Sequence, residues 1–427
     1  MKNLFLKNGH VVDPANKINE VKDIWIEDSK FKHEKHTDDL DEYETIDLSG
    51  KYILPGLVDL RCHVRNVTGG GEENIKSISK VASSGGYTTL LVMPNISPYA
   101  DTPSAIRYIR ECAEKNVTTN ILLAGALTKK LEGGSLSPIG SLKDSGVSVI
   151  TDCPYSTQNN EIFVKGIEYA AMFDLPVFEF PREYSLSKEG NAHDGSVALS
   201  MGLGGFPSMA EEIFVQRAIT VSKHLDAHIH LSSISSRGSV ELIREAKEKE
   251  ILITADTTPA HLNFTDERIK NYRTNFKTHP PLREEEDRKA LLDGLIEGTI
   301  DCICSAHEPH QEHLKHSEFD QAPAGVTSLD TCLTAVYEAF SERADNIPYK
   351  LAEWLSFNPA KIIKSNKGSL SAGISADFTV LDFNKSFQYD VSKSLSLSSN
   401  NPFDGHLFAA CVEKTFIAGN LVYETSY

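Results

Sequence analysis

The sequence predicts an α/β protein, a TIM-like (β/α)8 barrel with a small β domain formed from both termini. Short strand patterns occupy the two ends of the chain, and strand and helix patterns alternate between them. The alternation gives about eight βα units, the number that closes a barrel of this kind. No glycine-rich phosphate loop follows the first middle strand, which argues against the alternative, a doubly wound open sheet.

The two ends of the chain share one style of short apolar strands separated by Gly, Pro and Asn turn signals. Because chain termini often lie close together, both ends can build one domain. We predict a composite β domain over residues 1–52 and 368–427 and a barrel over residues 53–367. The charged stretch from Lys30 to Glu44 is predicted to be a solvated loop. The predicted terminal strands are Leu4–Leu6, Val11–Val12, Asp23–Ile26, Ala376–Asp382, Thr415–Ala418 and Leu421–Tyr423.

In the middle of the chain, apolar runs predict buried strands and 3.6-residue spacing predicts helices. Residues Ile75, Ile78 and Val81 have helical spacing, which ends at Gly85 and Gly86. The predicted strands are Pro55–Arg65, Thr88–Met93, Thr119–Ala124, Val147–Thr151, Pro176–Phe180, Ala227–Leu231, Ile251–Ala255 and Ile300–Ser305. The other predicted helices are 104–116, Glu161–Met172, Ala210–Lys223, Arg237–Lys249 and Glu284–Glu297.

Composition excludes several classes of partner. The chain has 427 residues, 43 of them basic and 60 acidic, for a net charge of −17, so nucleic acid and anionic membranes are not expected partners. Its seven cysteines are scattered without a metal or redox spacing, as in a reduced protein. The N-terminus has too short an apolar run for a signal peptide, and no stretch is long enough to cross a bilayer. We therefore expect a soluble, cytoplasmic protein.

Barrel enzymes place their chemistry at the C-terminal ends of the strands. Asp59, Arg61, His63 and Arg65 alternate along the first barrel strand, so their side chains share one face. Histidine and carboxylate groups there could ligate a metal, but Arg61 stays protonated and cannot. The pattern therefore indicates a metal site that has lost ligands. The other strand ends carry Asn95, Asp152, Phe178, His230 and the stretch Ala306-His307-Glu308-Pro309-His310.

At these residues the chain resembles the dihydroorotases of the amidohydrolase superfamily. The resemblance implies a metal-dependent barrel with a flanking β-sandwich that interconverts carbamoyl aspartate and dihydroorotate. The motifs that carry it are Lys51–Asp59, Met93–Pro98, Gly204–Glu212, Thr254–Leu262, Pro280–Arg283, Gly298–Asp301, Ala322–Gly325, Asn358–Ala360 and Lys367–Leu370.

Three departures from this family stand at metal or catalytic positions. The first strand of the family carries His-x-His, whereas this chain has Arg61-Cys62-His63. A later histidine ligand aligns with Phe178, and the aspartate that binds metal and carries the proton aligns with Ala306. Since a catalytic zinc needs three protein ligands and the reaction needs a base, we expect neither a metal nor catalysis.

The remaining family residues leave two alternatives. The resemblance assigns His63, Asp152 and His230 to metal positions, so a single zinc at partial occupancy would bind there if any metal binds. In that case the protein would be an active cyclic amidohydrolase that acts on the C–N bond of a cyclic amide. We favour hydrogen-bonded remnants of a lost site. The Arg61 side chain could hold a ligand carboxylate, but we favour an ion pair with Asp59 or Asp152.

Residues that handle the substrate are better retained. Arg65, Asn95 and His310 match substrate-binding positions of the family, so binding of a dihydroorotate-like acid without turnover remains open. However, His279 replaces an asparagine of the family, and His261 is interpreted as a structural histidine.

A closer resemblance is to the noncatalytic dihydroorotase-like chains that assemble with aspartate carbamoyltransferase. It implies an inactive subunit of pyrimidine biosynthesis, a homo- or hetero-oligomer, whose partner is the catalytic chain of that transferase. The segments concerned are Gly125–Gly133, Lys143–Gly146, Asn159–Asn160, Glu168–Leu175, Ser232–Gly238 and Ser305–His310.

Overall fold

The structure is a computed structural model that describes residues 3–32, 34, 43–188 and 190–425. Its strands, in chain order, are β1 (Asn3–Lys7), β2 (His10–Asp13), β3 (Ile18–Val21), β4 (Ile24–Glu27), β5 (Lys30–Lys32), β6 (Tyr43–Asp47), β7 (Tyr52–Pro55), β8 (Leu57–Cys62), β9 (Tyr87–Val92), β10 (Asn120–Ala126), β11 (Val149–Thr151), β12 (Val177–Glu179), β13 (Ala192–His193), β14 (Gly205–Phe206), β15 (Ile229–Leu231), β16 (Ile253–Thr257), β17 (Cys302–Ile303), β18 (Phe378–Asp382), β19 (Phe387–Gln388), β20 (Leu407–Phe408), β21 (Cys411–Ile417) and β22 (Asn420–Glu424).

The α-helices are α1 (Ile75–Ser84), α2 (Pro103–Asn116), α3 (Ile139–Asp144), α4 (Asn160–Ala171), α5 (Tyr184–Ser187), α6 (Ser196–Met201), α7 (Ser208–Leu225), α8 (Arg237–Glu248), α9 (Pro259–Asn263), α10 (Glu285–Glu297), α11 (Glu312–Lys315), α12 (Cys332–Phe340), α13 (Ile347–Ala352) and α14 (Asn358–Ile362). None of the helices in the described part of the chain is both long and apolar enough to cross a membrane.

Eight parallel strands form the central barrel, in the order β8, β9, β10, β11, β12, β15, β16 and β17. The barrel closes between its first and last strands, where Cys62 pairs in parallel with His307 and the His63 amide donates to the His307 carbonyl at 2.9 Å. Helices occupy most of the crossovers, as parallel strands require. The predicted (β/α)8 barrel is therefore confirmed.

Strands from both ends of the chain share one sheet, in the order β22-β21-β18-β7-β2-β3, and a second sheet has the order β5-β4-β1-β6. Phe31, Phe378 and Phe416 pack in their common core, with the last two rings stacked 4.4 Å apart. The domain boundaries at residues 52/53 and 367/368 stay a prediction.

The predicted loop from Lys30 to Glu44 is wrong at both of its ends. Residues Lys30–Lys32 form β5, and Tyr43 and Glu44 begin β6, which pairs in parallel with β1. The register of these strands depends on partners distant in sequence, which local charge does not reveal. Residues 33 and 35–42 of the predicted loop lie outside the described residues.

Local sequence signals set the first barrel helix. Asn74 caps α1, since its side-chain oxygen accepts from the amides of Lys76 and Ser77, both at 3.0 Å. The helix ends at Gly85, where a β-carbon would lie 2.0 Å from the Leu329 carbonyl oxygen. Only glycine therefore allows this close approach between α1 and the segment that follows the last barrel strand.

An apolar cluster joins the barrel strands beneath the candidate site. Its buried residues on the strands or directly after them include Val58, Leu60, Leu91, Ala124, Val149, Phe178, Cys302 and Cys304. Phe180 and Cys153, just beyond the ends of β12 and β11, belong to the same cluster. Such layers of side chains fill the barrel and leave it without a pore.

Candidate active site

The predicted site residues lie at the C-terminal ends of the barrel strands. Arg61 is on β8, and His63 and Arg65 follow it; Phe178 is on β12 and His230 on β15. Asn95, Asp152 and the stretch Ala306–His310 come just after β9, β11 and β17. The fold therefore brings these residues to the same end of the barrel.

Arg61 is the central residue of this site, and its side chain is fully buried. Its Nε donates to His63 Nε2 at 3.2 Å, and its Nη1 donates to Ser233 Oγ at 2.7 Å and to a backbone carbonyl at 3.0 Å. The guanidinium also lies over the Phe180 ring, 4.6 Å from its centroid. Its Nη2 makes no hydrogen bond within the described residues.

The ion pair of Arg61 differs from the predicted one. Its Nη2 lies 3.6 Å from a Glu308 carboxylate oxygen, and no pair with Asp59 or Asp152 occurs within the described part of the chain. Asp59 instead accepts from the backbone amide and hydroxyl of Ser305, both at 2.7 Å. Burial raises the pKa of Asp59 to about 7. The expected partner was wrong because the barrel closure places Glu308 next to β8.

Glu308 is a charged residue of this site whose contacts the sequence analysis did not predict. Its carboxylate lies between two guanidinium groups, with one oxygen 3.6 Å from Arg61 and the other 3.6 Å from Arg65. Burial alone would raise the pKa of this carboxyl, but its cationic neighbours hold it well below the usual range. Glu308 therefore carries a negative charge at neutral pH while 6% exposed.

His63 has both ring nitrogens engaged. Because Nε2 accepts from Arg61, the neutral ring carries its proton on Nδ1, which donates to Asn95 Oδ1 at 2.9 Å. Burial lowers the pKa of His63 to about 4. The lone pair that a metal would need is thus used by a guanidinium.

His230 is also fully hydrogen-bonded. Its Nε2 donates to Asp256 Oδ2 at 2.9 Å, and its Nδ1 accepts from the Thr254 hydroxyl at 2.9 Å. The Phe178 ring packs against it, with the ring centroids 4.3 Å apart. Asp256 also accepts from the Cys304 thiol at 3.1 Å, so a hydrogen-bonded chain occupies this side of the barrel.

Asp152 organises a loop. Its two oxygens accept from the Thr128 amide at 2.9 Å, the Thr128 hydroxyl at 2.6 Å and the Thr157 hydroxyl at 2.9 Å. Burial raises the pKa of Asp152, and these hydrogen bonds oppose that rise. Its carboxylate anchors the chain after β10.

The last barrel strand leads into an altered segment. Ala306 has a left-handed backbone, with φ of 50°, and contributes no proton-transfer group. His307 accepts from the Ser328 and Leu329 amides through Nδ1, at 3.1 and 3.3 Å. Its buried Nε2 has no hydrogen-bond partner within the described residues. Burial lowers the pKa of His307 to about 3.

The predicted substrate-binding residues divide into two groups. Arg65 and His310 contact each other, since Arg65 Nη2 lies 3.2 Å from His310 Nδ1, while His310 Nε2 donates to the Ala324 carbonyl at 2.7 Å. The Asn95 side-chain oxygen instead accepts a hydrogen bond from His63 Nδ1. The Arg65 side chain remains 27% exposed and is the one of these three that combines a charge with access to solvent.

His279 contacts a further cation, Arg182, and carries no charge of its own at neutral pH. Its ring packs edge-on against Phe180 and its Nε2 accepts from Arg182 Nη1 at 2.7 Å. Burial lowers the pKa of His279 to about 3. His261, predicted to be structural, bonds through Nδ1 to Thr258 and through Nε2 to the Pro280 carbonyl.

Little space remains at this end of the barrel. A cavity lined by Thr278, Ala306 and Glu308 has a volume of about 10 Å³, roughly enough for one water molecule. In this conformation it is too small for a cyclic amide substrate.

The residues do not fit a catalytic metal. In the candidate set His63, Asp152 and His230, the nitrogen and oxygen atoms that could ligate a metal form hydrogen bonds within the protein instead. Within the described residues, no three His, Cys, Asp or Glu side chains are grouped as a metal site would require.

Comparison with known proteins gives consistent matches. A family model described as dihydro-orotase-like matches residues 50–239, and an amidohydrolase family model matches residues 209–422. The dihydroorotase of Endomicrobium trichonymphae is 35% identical over 425 residues, 99% of each chain. The dihydroorotase of Acetivibrio thermocellus is 36% identical over 419 residues, 98% of each chain.

Solved structures share the fold at lower identity. The dihydropyrimidinase from Brevibacillus agri superposes with a TM-score of 0.84 and 21% identity, over 99% of this chain and 95% of its own. The L-hydantoinase from Arthrobacter aurescens gives 0.85 and 22%, over 99% and 96%. At these identities the likeness concerns the fold alone.

Proposed function

This chain belongs to the dihydroorotase family of the amidohydrolase superfamily, and we propose that it is an inactive member. In this proposal it serves pyrimidine biosynthesis as a structural subunit for the catalytic chain of aspartate carbamoyltransferase. The chain keeps the fold of the family, which supports a structural role. The residues at its barrel end differ from the family's, which supports a role without catalysis.

One observation carries the proposal of inactivity: the Arg61 guanidinium donates to His63 Nε2. A cation in this position uses the lone pair that a metal ligand must offer, and its charge repels a divalent metal. Two further features support it. Phe178 packs on His230 where a third ligand would be needed, and Ala306 offers no base for proton transfer.

The transferase partner is proposed from the resemblance of six segments to the noncatalytic subgroup. Two of them take part in the altered site. Ser233, in the segment Ser232–Gly238, holds Arg61, and Ser305–His310 provides Glu308. Two of the six segments therefore contribute contacts to the filled barrel end.

The test of inactivity combines metal analysis with an assay. Protein purified without chelators is analysed for zinc and assayed for cyclisation of carbamoyl aspartate. We expect less than one tenth of a zinc per chain, on the order of background, and no turnover. A variant with Arg61→His, Phe178→His and Ala306→Asp provides the control, with a raised zinc content. Stoichiometric zinc and turnover lost in His230→Ala would establish the alternative, an active amidohydrolase using His63, Asp152 and His230.

The test of the partnership is co-expression with an aspartate carbamoyltransferase catalytic chain from the same source. We expect the two chains to elute together on size exclusion and the transferase activity to depend on this chain. Separate elution with full transferase activity in its absence would refute the structural role. Calorimetry with dihydroorotate, compared with Arg65→Met, distinguishes a ligand-binding subunit from a purely structural one.

A further inference from the structure

The ion pairs of Glu308 have an unusual geometry. Both carboxylate oxygens face guanidinium nitrogens at 3.6 Å, just beyond hydrogen-bond distance. On the other side, Arg61 Nη2 is buried and donates no hydrogen bond. A donor and an acceptor of opposite charge thus face each other without direct bonding.

The surroundings supply excess positive charge. Arg61, Arg65 and Arg182 lie at this end of the barrel, and Glu308 is the acidic side chain paired with the first two. Arg182 donates to Ser187 and to His279, both uncharged partners at neutral pH, because burial lowers the pKa of His279 to about 3. An anion between the guanidinium groups is therefore favoured electrostatically.

The Glu308 side chain occupies a position shaped by the backbone. Gly325 packs over it with φ of 123°, and a β-carbon there would lie 2.7 Å from Glu308 Cγ and 2.8 Å from His310 Nε2. Glycine thus provides the space for Glu308. The adjacent cavity contains the buried Thr278 hydroxyl, which has no hydrogen-bond partner within the described chain.

We infer that Arg61 and Arg65 form a binding site for a small carboxylate and that Glu308 of the same chain occupies it. The glutamate acts as a tethered anion that keeps external carboxylates out. Because its contacts are longer than hydrogen bonds, a free carboxylate bound in its place would form shorter, charge-assisted bonds to the same nitrogens. This inference concerns the occupant of the site and holds whether or not the transferase is a partner.

The test removes the tethered carboxylate and supplies a free one. Thermal unfolding of Glu308→Ala is measured with increasing sodium formate, against sodium chloride at equal ionic strength. We expect a lower midpoint than in the unmodified protein and a saturable rise with formate that chloride does not reproduce. Acetate matches the Cγ and carboxylate that the substitution removes and should act at least as strongly as formate, whereas larger carboxylates should have no effect.

Three controls define the site. The unmodified protein and Glu308→Gln, whose amide fills the same space, should respond to formate no more than to chloride. The double variant Glu308→Ala/Arg61→Met should lose the response. An equal response of Glu308→Ala to formate and chloride would overturn the inference. If Glu308→Ala does not accumulate as folded protein, its refolding yield is measured in formate and in chloride instead of its thermal midpoint. A higher yield of folded protein in formate supports the inference, and equal yields overturn it.

Discussion

Replacing the Arg61 guanidinium by a side chain of similar length tests how the altered site contributes to stability. In Arg61→Met, the Glu308 carboxylate keeps Arg65 as its sole guanidinium partner, and Ser233 and the His279 carbonyl lose a charged donor. Breaking a buried ion pair on one side costs about 3–5 kcal/mol. Because Arg65 still compensates part of the charge, we expect the lower end, about 3 kcal/mol.

The measurement is urea denaturation followed by both fluorescence and circular dichroism, which checks that a single transition is observed. Arg237 offers a matched control, since its ion pair with Glu286 is short, at 2.9 Å, but the side chain is 57% exposed. Arg237→Met should cost less than about 1 kcal/mol. This comparison separates burial from the presence of an ion pair.

A double-mutant cycle completes the test. Arg61→Met/Glu308→Gln removes both charges, so the carboxylate that only Arg65 compensates in the single variant disappears. We expect a coupling energy of about 2 kcal/mol between the two positions. A loss below about 1 kcal/mol in Arg61→Met, or a coupling near zero, would show that the pair is not the feature that holds this end of the barrel together.

Two other predictions concern pH and packing. Burial lowers the pKa of His261 to about 4, so the unfolded chain binds the proton first and the free energy of unfolding falls as pH decreases from about 6.5 to about 4. At pH 5 the loss is about 2 kcal/mol. In His261→Gln the free energy of unfolding should therefore depend less steeply on pH than in the unmodified protein. Gly85→Ala places a methyl group 2.0 Å from the Leu329 carbonyl oxygen and should lower the free energy of unfolding, measured by urea denaturation, by about 1–3 kcal/mol. Gly134 has open space around it, so Gly134→Ala should change that free energy by less than about 0.5 kcal/mol. A steeper acid dependence in His261→Gln or equal effects of the two alanines would contradict these expectations.

The barrel was predictable because its signals are local. Apolar runs such as Thr88–Met93 correspond to β9, and the helical spacing at Ile75, Ile78 and Val81 corresponds to α1. The strand-end rule also located the site, since chain order alone places those residues at one end of a parallel barrel. The register of the terminal sheets was less accessible, because the partners of β5 and β6 are not encoded nearby.

The contacts within the site were harder to predict. Glu308 stands beside β8 only because the barrel closes between its first and last strands, and no local pattern pairs it with Arg61. Asp256 was a different omission. It follows the predicted strand Ile251–Ala255 directly, so the strand-end rule applied equally would have identified it as the partner of His230.

Two residues of the altered site, Arg61 and Glu308, carry opposite charges and lie next to each other. Arg61 places a positive charge next to His63, and Glu308 compensates that charge from the segment that follows the last barrel strand. Phe178 and Ala306 are uncharged; the Phe178 ring fills space next to His230, whereas the small Ala306 side chain fills little. Without Glu308, the buried Arg61 would lose its paired carboxylate, and without Arg61, Glu308 would keep Arg65 alone, so each charge makes the other easier to tolerate.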